Sequence, residues 1–418
     1  MSNTQKKNVP ELRFPGFEGE WEEKKLGDLT TKIGSGKTPK GGSENYTNKG
    51  IPFLRSQNIR NGKLNLNDLV YISKDIDDEM KNSRTYYGDV LLNITGASIG
   101  RTAINSIVET YANLNQHVCI IRLKKEYYYN FFGQYLLSRK GKRKIFLAQS
   151  GGSREGLNFK EIANLKIFTP TIFEEQQKIG KFFSKLDRQI ELEEQKLELL
   201  QQQKKGYMQK IFSQELRFKD ENGNDYPEWE EKQLGDTLEF IKDGTHGTHE
   251  NVDNGPWLLS AKNIKNNKII ISSDDRKISE NEYKKIYKNY KLERGDLLLT
   301  IVGTIGRTAI VKDPNSIAFQ RSVAILKTKA LYDVGFIFQL FQTNYFKNLL
   351  LRKQVVSAQP GLYLGDIRKL KISISNISEE QKKIGSFFSK FDRQIELEQQ
   401  KLELLQQLKK GLLQSMFI

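Results

Sequence analysis

The sequence predicts an α+β protein: two mixed α/β domains separated by two long helices packed as an antiparallel coiled coil, with a pseudo-two-fold internal repeat. The first observation behind this prediction is a helical segment, residues 174–206, that recurs as 379–411 with five differences over 33 positions. The second is a motif shared by both domains, WEEKKLGD at 21–28 and WEEKQLGD at 229–236. Because the sequences between these blocks diverge, we infer a duplication in which the helical segments and motifs were kept while the domains between them changed.

These blocks divide the 418 residues into five segments. We predict a flexible N-terminal tail at 1–10, a first domain at 11–172, a conserved helix at 173–213, a second domain at 214–378 and a second conserved helix at 379–418. At about 150 residues per domain, a chain of this length has room for two to three domains, each with its own core.

Two runs of apolar residues spaced by three, four or seven positions predict the long helices. Since the first helix must carry the chain from one domain to the other and the second runs back, we expect antiparallel packing over about 50 Å. The alternative is two separate helices, each capping its own domain or pairing with another molecule. The predicted packing residues are Ile179, Phe183, Leu186, Ile190, Leu197, Leu200, Ile384, Phe388, Phe391, Ile395, Leu402 and Leu405.

Within the domains, short apolar runs predict strands and longer aromatic-rich stretches predict helices. The runs GDVLLNI (88–94) and GDLLLTI (295–301) begin with a Gly-Asp turn and indicate buried strands. Segments 46–58 and 256–263 indicate a strand followed by a loop, and 127–140 and 334–351 indicate core helices. The polar stretches 149–156 and 357–361 indicate loops.

The charge of the chain favours a nucleic acid as its partner. With 67 Lys and Arg against 51 Asp and Glu, the formal net charge is +16, which is typical of proteins that bind polyanions. One cysteine and three histidines exclude a disulfide framework and a cysteine-rich zinc module. No apolar run approaches the roughly 20 residues of a membrane span and no signal peptide is recognisable, so we expect a cytoplasmic protein.

Several patterns resemble catalytic motifs without meeting their requirements. Residues 34–38 (GSGKT) lack the first glycine of a P-loop, because Thr31 stands at that position, and Pro39 does not suit the helix that should follow. His246 and His249 have an H-x-x-H spacing with no third ligand nearby. The tetrapeptides typical of amino-methyltransferases, DPPY and NPPF, do not occur. We therefore expect no catalytic residue, no metal and no cofactor in this chain.

Polar loops that carry Arg, Asn and Gln are the candidates for reading DNA bases, because Arg pairs with guanine and Asn or Gln with adenine in the major groove. Domains that read different sequences should differ at such positions. RSQNIR (55–60) is therefore compared with SAKNIK (260–265), and Gln116-His117 with Gln320-Arg321. Because both halves share Asn58 and Asn263, an alternative is that these two asparagines are structural. The candidate base-reading residues are Lys37, Thr38, Arg55, Gln57, Asn58, Arg60, Gln116, His117, Ser153, Arg154, Thr245, His246, Lys262, Asn263, Lys265, Gln320, Arg321 and Gln359.

Basic clusters near the predicted domain helices are the candidates for contacting DNA phosphates without regard to sequence. An equally simple interpretation is an ordinary solvated helix end. The candidate phosphate-binding residues are Arg101, Arg139, Lys140, Lys142, Arg143, Lys144, Arg307, Lys347, Arg352 and Lys353.

The whole pattern resembles the specificity subunit of type I restriction–modification systems. The resemblance is carried by two divergent domains between near-identical helices, by the WEEKKLGD and WEEKQLGD motifs, and by GKTP at 36–39, IGRTAI at 99–104 and the helix starts EEQQKI and EEQKKI. It covers essentially the whole chain. The second domain departs from the pattern at 242–249 (KDGTHGTH), where GKTP is missing, so the equivalence of these two loops is an open question.

The resemblance implies a non-catalytic subunit with two target-recognition domains, each reading one half of a bipartite, asymmetric DNA site. It implies conserved helices that act as a ruler and bind two modification subunits, which use S-adenosylmethionine to methylate adenine. It also implies restriction subunits that use ATP and Mg²⁺ to translocate and cleave DNA. The alternatives are a DNA methyltransferase with its own cofactor site, and a coiled-coil scaffold without a DNA role.

Overall fold

The computed structural model of the chain describes residues 8–149, 156–288, 290–354 and 361–418. Its contacts group the chain into two units. Unit 1 extends to Lys196 and includes Gln399–Ile418, and unit 2 comprises Leu197–Glu398. The predicted α+β class with a repeated mixed domain is confirmed, because both units contain corresponding strands and helices in nearly the same order.

Unit 1 is built on three small sheets and the first part of a long helix. The strand orders are β1–β10, β2–β9–β6–β7 and β4–β3–β8–β5. The run predicted as a buried strand at 88–94 contains β6, whose four residues are all buried. The elements in chain order are β1 (Glu22–Lys25), β2 (Thr30–Ser35), β3 (Ile51–Leu54), β4 (Val70–Ile72), α1 (Lys74–Glu79), β5 (Arg84–Thr85), β6 (Val90–Asn93), β7 (Thr102–Ile104), β8 (Ala112–Leu114), β9 (Val118–Leu123), α2 (Tyr129–Leu137), α3 (Arg139–Leu147), α4 (Phe159–Ala163), β10 (Lys166–Thr169) and α5 (Phe173–Phe212).

Unit 2 contains the last part of α5 and then repeats the first two sheets of unit 1, whereas the third is represented by two smaller sheets. Its strand orders are β11–β20, β12–β19–β16–β17, β13–β18 and β14–β15. The elements are β11 (Glu230–Gln233), β12 (Leu238–Asp243), β13 (Trp257–Leu259), β14 (Ile264–Lys265), β15 (Lys268–Ile269), α6 (Glu280–Ile286), β16 (Leu297–Thr300), β17 (Thr308–Ile310), β18 (Ile317–Phe319), β19 (Val323–Thr328), α7 (Val334–Gln342), α8 (Asn344–Lys353), α9 (Leu364–Arg368), β20 (Lys371–Ile374) and α10 (Ser378–Ser415).

The core helices predicted at 127–140 and 334–351 are each divided in two. Ser138, between α2 and α3, has extended backbone, and its hydroxyl accepts a hydrogen bond from the Gly141 N–H at 3.1 Å. Thr343 caps α8 in the same way through the Phe346 N–H at 3.1 Å. These side chains satisfy N–H groups that a helix start leaves without a partner. The basic residues expected at the end of one helix therefore lie at the start of a second one, α3.

The two long helices run antiparallel within each unit. In unit 1, Phe183 near the start of α5 stacks on Phe417 just after the end of α10, with ring centroids 5.8 Å apart. Lys401 of α10 donates to Glu193 of α5 at 2.5 Å. In unit 2, Phe212 near the end of α5 stacks on Phe388 near the start of α10 at 6.0 Å. Antiparallel packing of α5 and α10 is thus found in each of the two units.

Most of the predicted packing residues are buried. The exceptions lie toward the middle of the helices, where Ile190, Phe391, Ile395 and Leu405 are half-buried. Among the residues that the structure describes, no helix combines the length and the apolar content needed to cross a lipid bilayer. The fully packed members of the predicted set are Ile179, Phe183, Leu186, Leu197, Leu200, Ile384, Phe388 and Leu402.

The motifs that recur in both halves meet around a buried carboxylate on each long helix. In unit 1, Arg13 donates two hydrogen bonds to Glu175, at 2.7 and 2.8 Å, and the indole N–H of Trp21 donates a third at 3.3 Å. Glu175 is only 1% exposed. The sequence ELRF also occurs twice, at 11–14 and 215–218, and these contacts explain why it recurs together with the WEEK and EEQ segments. The same carboxylate site recurs in unit 2 between Arg217, Trp229 and Glu380.

Three predicted segments fall wholly or partly outside the described residues. Of the predicted tail, residues 1–7 are outside, whereas Asn8 accepts a hydrogen bond from the backbone N–H of Trp21 at 2.8 Å. Residues 150–155 of the first predicted loop and 357–360 of the second are also outside.

Candidate DNA interface

The first candidate loop begins at Gly36, directly after β2, and includes Lys37 and Thr38. It is hydrogen-bonded to the end of β8 and the start of β9. The Gly36 N–H donates to the Val118 carbonyl at 3.2 Å, and the Lys37 N–H donates to the Leu114 carbonyl at 2.9 Å. A Cβ atom at position 36 would lie 1.9 Å from that Leu114 oxygen. Only glycine fits this crossing, and the chain leaves it with the Lys37 side chain exposed and Thr38 half-buried.

The second candidate loop is the turn at 55–60, and the asparagine that it shares with the other domain is structural. Asn58 is fully buried, its Oδ1 accepts the Arg55 N–H at 2.9 Å, and its amide donates to the Asn65 carbonyl at 2.8 Å. The prediction that Asn58 reads a base is therefore wrong, because its side chain is buried and its amide is bonded inside the turn. Arg55 lies over the Tyr46 ring at 5.5 Å, and Gln57 and Arg60 are exposed.

The third candidate loop, 115–117, is linked by side-chain hydrogen bonds to the first loop and to the loop that follows β6. The Thr38 hydroxyl donates to the Gln116 side-chain oxygen, and the Gln116 amide lies 3.2 Å from the His117 Nε2. His117 Nδ1 lies 2.6 Å from the Thr95 hydroxyl. Gln116 is exposed and His117 half-buried. Thr95 was not among the predicted residues; its only signal in the sequence is its place directly after a buried strand.

Unit 2 contains an equivalent of the first loop even though GKTP is missing there. The Gly244 N–H donates to Val323 at 3.0 Å, and the Thr245 N–H donates to Phe319 at 2.8 Å. A Cβ at position 244 would lie 2.1 Å from the Phe319 oxygen. Gly244 and Thr245 therefore occupy the positions of Gly36 and Lys37, which answers the question left open by the sequence.

The predicted pairing of the third loops is wrong by one residue. The Gln320 N–H donates to Leu259 at 2.8 Å, as the Asn115 N–H does to Leu54 at 3.1 Å. Gln320 is thus the equivalent of Asn115, and the equivalents in the next position are Gln116 and Arg321. Arg321 is exposed and Gln320 half-buried.

The shared asparagine of the second loop is structural in unit 2 as well. Asn263 is 4% exposed, its Oδ1 accepts the Ser260 N–H at 3.0 Å, and its amide donates to Asp275 at 2.7 Å. Its predicted base-reading role is wrong for the same reason as that of Asn58. Asp275, which was not among the predicted residues, also pairs with the Lys262 ammonium at 2.7 Å, although the lysine side chain is exposed.

The two remaining histidines lie in the first loop of unit 2. His246 is exposed and bonds Asp243, whereas His249 lies between the Thr245 hydroxyl at 2.9 Å and Glu282 at 3.4 Å. Each ring is thus used to hold the loop. Within the described ranges, no group of three or more His, Cys, Asp or Glu side chains is placed to hold a metal ion.

In the basic cluster of α3, two lysine side chains bond to backbone carbonyls. Lys140 donates to the Phe417 carbonyl, and Lys144 donates to the Lys166 carbonyl. Burial lowers the pKa of both lysines. Arg139 and Lys142 are exposed and line a groove of about 540 Å³ with Asn61 and Lys410. The remaining candidates in unit 1 are Arg143, which is exposed, and Arg101, which is half-buried.

In unit 2, three predicted residues line one groove. Lys265, Arg307 and Lys347 surround a space of about 540 Å³ whose apolar wall includes Leu350 and Leu351. Arg307 also donates to the Ile264 carbonyl at 3.3 Å, which fixes its direction. The other two candidates, Arg352 and Lys353, are exposed at the end of α8. The base-reading candidates Ser153, Arg154 and Gln359 lie outside the described residues.

Comparisons with known proteins place this architecture. The family model for the type I restriction modification DNA specificity domain matches the chain twice, over residues 18–202 and 226–407. The putative type I restriction enzyme MjaX specificity subunit of Methanocaldococcus jannaschii is 24% identical over 412 residues, covering 94% of this chain and 92% of that protein. The MjaVIII specificity subunit of the same organism is 25% identical over 422 residues, covering 97% and 93%.

A solved structure has the same fold. The type I restriction–modification S subunit from M. genitalium superposes with a TM-score of 0.65 at 15% identity, covering 98% of this chain and 99% of that chain. Each family match spans one set of the three loops and most of one long helix. The chain therefore belongs to the family of type I restriction–modification DNA specificity proteins.

Proposed function

We propose that this chain reads a bipartite, asymmetric DNA site, one half-site per recognition domain, and directs partner subunits to it. The observation that carries the proposal is the pair of equivalent loops with unlike side chains. The backbone bonds of Lys37 to Leu114 recur in Thr245 to Phe319, yet a lysine in one domain is replaced by a threonine in the other. A common backbone that presents different donors and acceptors suits the reading of two different sequences.

The grooves near the loops supply the positive charge that DNA phosphates require. Arg139 and Lys142 line one in unit 1, and Lys265, Arg307 and Lys347 line one in unit 2. Such contacts add affinity without sequence preference and make binding fall with salt.

The long helices are the proposed ruler and the docking surface for other subunits. In unit 1, Leu404 and Leu408 of α10 are 66% and 51% exposed, and in unit 2, Leu199 and Leu397 are 54% and 53% exposed. Exposed leucines on a helix favour contact with another protein. Because both units carry such leucines, we expect two modification subunits, with restriction subunits added to that assembly.

The chain is not an enzyme, since its family supplies the specificity subunit of a larger complex. Its partners are therefore expected to carry S-adenosylmethionine for adenine methylation, and ATP with Mg²⁺ for translocation and cleavage. The chain would act in the cytoplasm, where these partners meet DNA.

The proposal is tested by co-expressing the chain with its modification subunits in a host without other adenine methylation, and by sequencing the modified bases. We expect one motif with two unlike half-sites and a fixed spacer, and no methylation without the chain. Methylation that persists in the absence of the chain would refute the proposal, as would stoichiometric binding of S-adenosylmethionine by the chain alone.

A further inference from the structure

The side-chain contacts of the third loop in unit 1 form a continuous hydrogen-bond chain. It runs from the Thr38 hydroxyl through the Gln116 amide and the His117 ring to the Thr95 hydroxyl. The four residues come from three separate loops, which follow β2, β6 and β8. The exposed Gln116 side chain is thus held at both ends of its amide.

For the orientation of the Gln116 amide in this structure, the chemistry of each group sets the direction of these bonds. An amide nitrogen only donates, so the His117 Nε2 that faces it must accept, and the ring N–H is then the one at Nδ1. That Nδ1–H donates to Thr95, while Thr38 donates to the Gln116 oxygen. If the Gln116 amide is rotated by about 180°, its nitrogen donates to Thr38 and its oxygen accepts from His117, whose Nδ1 then accepts from Thr95. The same four side chains are hydrogen-bonded in both orientations.

In either direction, the Gln116 amide keeps one unused N–H and one unused oxygen lone pair. Adenine presents an acceptor, N7, and a donor, the N6 amino group, at its major-groove edge, whereas guanine presents two acceptors. A held amide with one donor and one acceptor complements adenine. It does not complement guanine, because its oxygen would face a second acceptor.

The equivalent position in unit 2 carries different chemistry. Arg321 is exposed and its guanidinium offers donors alone, which complements the two acceptors of guanine. The two domains thus place an amide and a guanidinium at the same point of the same loop.

We propose that Gln116 reads an adenine in the first half-site and that His117 is the positioning residue that fixes its amide. This inference rests on the proposed function, and it adds the identity of one base and the residue that enforces it. Thr38 and Thr95 support the arrangement from either end of the chain.

The test uses the full chain with its modification subunits and compares the methylated motifs of variants. For wild type we expect, in one half-site, an invariant adenine other than the methylated one. Gln116→Ala and His117→Ala should lower the preference for adenine at that one position by roughly tenfold, since a bidentate contact is worth about 1–3 kcal/mol. His117→Gln, which can again present an acceptor to the amide, should restore part of the preference.

Two isosteric variants and one matched control complete the design. Thr38→Val and Thr95→Val remove only a hydroxyl, so they should relax the same position even if His117→Ala does not fold. Arg321→Ala should relax a position in the other half-site and leave this adenine unchanged.

The outcomes separate the two proposals. If the position remains adenine-specific in His117→Ala and in both valine variants, or if Gln116→Ala alters no single position, the inference fails while the proposed function stands. If no methylation depends on the chain, the proposed function fails and the inference with it.

Discussion

At the scale of single residues, the buried carboxylate of Glu175 tests why the shared motifs recur. We expect Arg13→Ala to lower the free energy of unfolding by about 3–5 kcal/mol, because it leaves a carboxylate that is 1% exposed without its cation. Chemical denaturation measures the loss. The control is Arg188→Ala, whose pair with Glu191 is exposed and should contribute less than about 1 kcal/mol. Equal effects of the two variants would contradict this account.

Asp77 links the acid stability of the first domain to its recognition loop. It accepts hydrogen bonds from Arg84, from the Tyr111 hydroxyl at 2.7 Å and from the Asn113 amide at 3.1 Å, and Asn113 belongs to β8, the strand that leads into loop 115–117. Burial alone would raise the pKa of Asp77, but these hydrogen bonds outweigh burial and lower the pKa from 3.8 to about 2.

A pKa that is lower in the folded chain stabilises the fold above the unfolded pKa and ceases to do so as the pH falls through the folded one. Asp77 should therefore add about 2 kcal/mol near neutral pH, lost between about pH 4 and pH 2. We expect Asp77→Asn to lower neutral stability and to flatten the acid limb of unfolding curves measured against pH. Asp75→Asn, an exposed change in the same helix, should leave both unchanged.

Residue roles were only partly predictable from the sequence. The alternative that Asn58 and Asn263 are structural was available because both halves share them, and their burial confirms it. The contacts of Asp275 with Lys262 and of Thr95 with His117 depend on which loops meet in space. No local pattern in the sequence carries that information.

At the scale of elements, Gly36 tests the crossing that shapes the first loop. Since an added Cβ would lie 1.9 Å from a backbone oxygen, the loop must move, and Gly36→Ala should destabilise unit 1 by about 1–3 kcal/mol and abolish recognition of the first half-site. Thermal unfolding and motif sequencing measure the two effects. Gly34→Ala, two residues earlier and still within β2, meets its nearest atom at 3.9 Å and should be tolerated. A harmless Gly36→Ala would show that the crossing adapts.

The spacing of apolar residues predicts which helices and strands form better than it predicts where they end. Apolar periodicity predicts the long helices, and a short apolar run after a Gly-Asp turn predicts β6, because burial decides both kinds of element. It does not predict the break at Ser138, since the apolar spacing continues across it. There the deciding contact is Gly141, where a Cβ would lie 2.2 Å from the Tyr135 carbonyl, so α3 packs tightly against α2.

At the scale of the whole molecule, the repeat was the most informative feature of the sequence, whereas the matching of loops needed coordinates. Gly244 and Gly36 share backbone bonds but no surrounding sequence. If the domains are autonomous readers, exchanging residues 31–171 for those of another family member should change one half-site and leave the other as it is. A change in both half-sites, read by motif sequencing, would contradict autonomy.

The ruler can be tested through the LELL sequence that both helices share, at 197–200 and 402–405. Duplicating it in α5 and α10 together adds about 6 Å and turns each helix about 40° beyond a full turn. One DNA base pair adds 3.4 Å and about 35° of twist. We therefore expect the methylated motif to gain one to two base pairs of spacer, because the added length and the added rotation of the helices both correspond to that number of base pairs.

Two controls separate a ruler from a loose tether. Inserting seven residues in each helix adds about 10 Å but turns the helix by only about −20° relative to two full turns, whereas three base pairs require about 100°. That variant should lose methylation despite its intact seam. Duplicating LELL in α5 alone should also lose it, because pairs such as Lys401 with Glu193 and Lys204 with Asp392 could not both persist. A spacer that stays constant in the double duplication would leave the helices as a connection only.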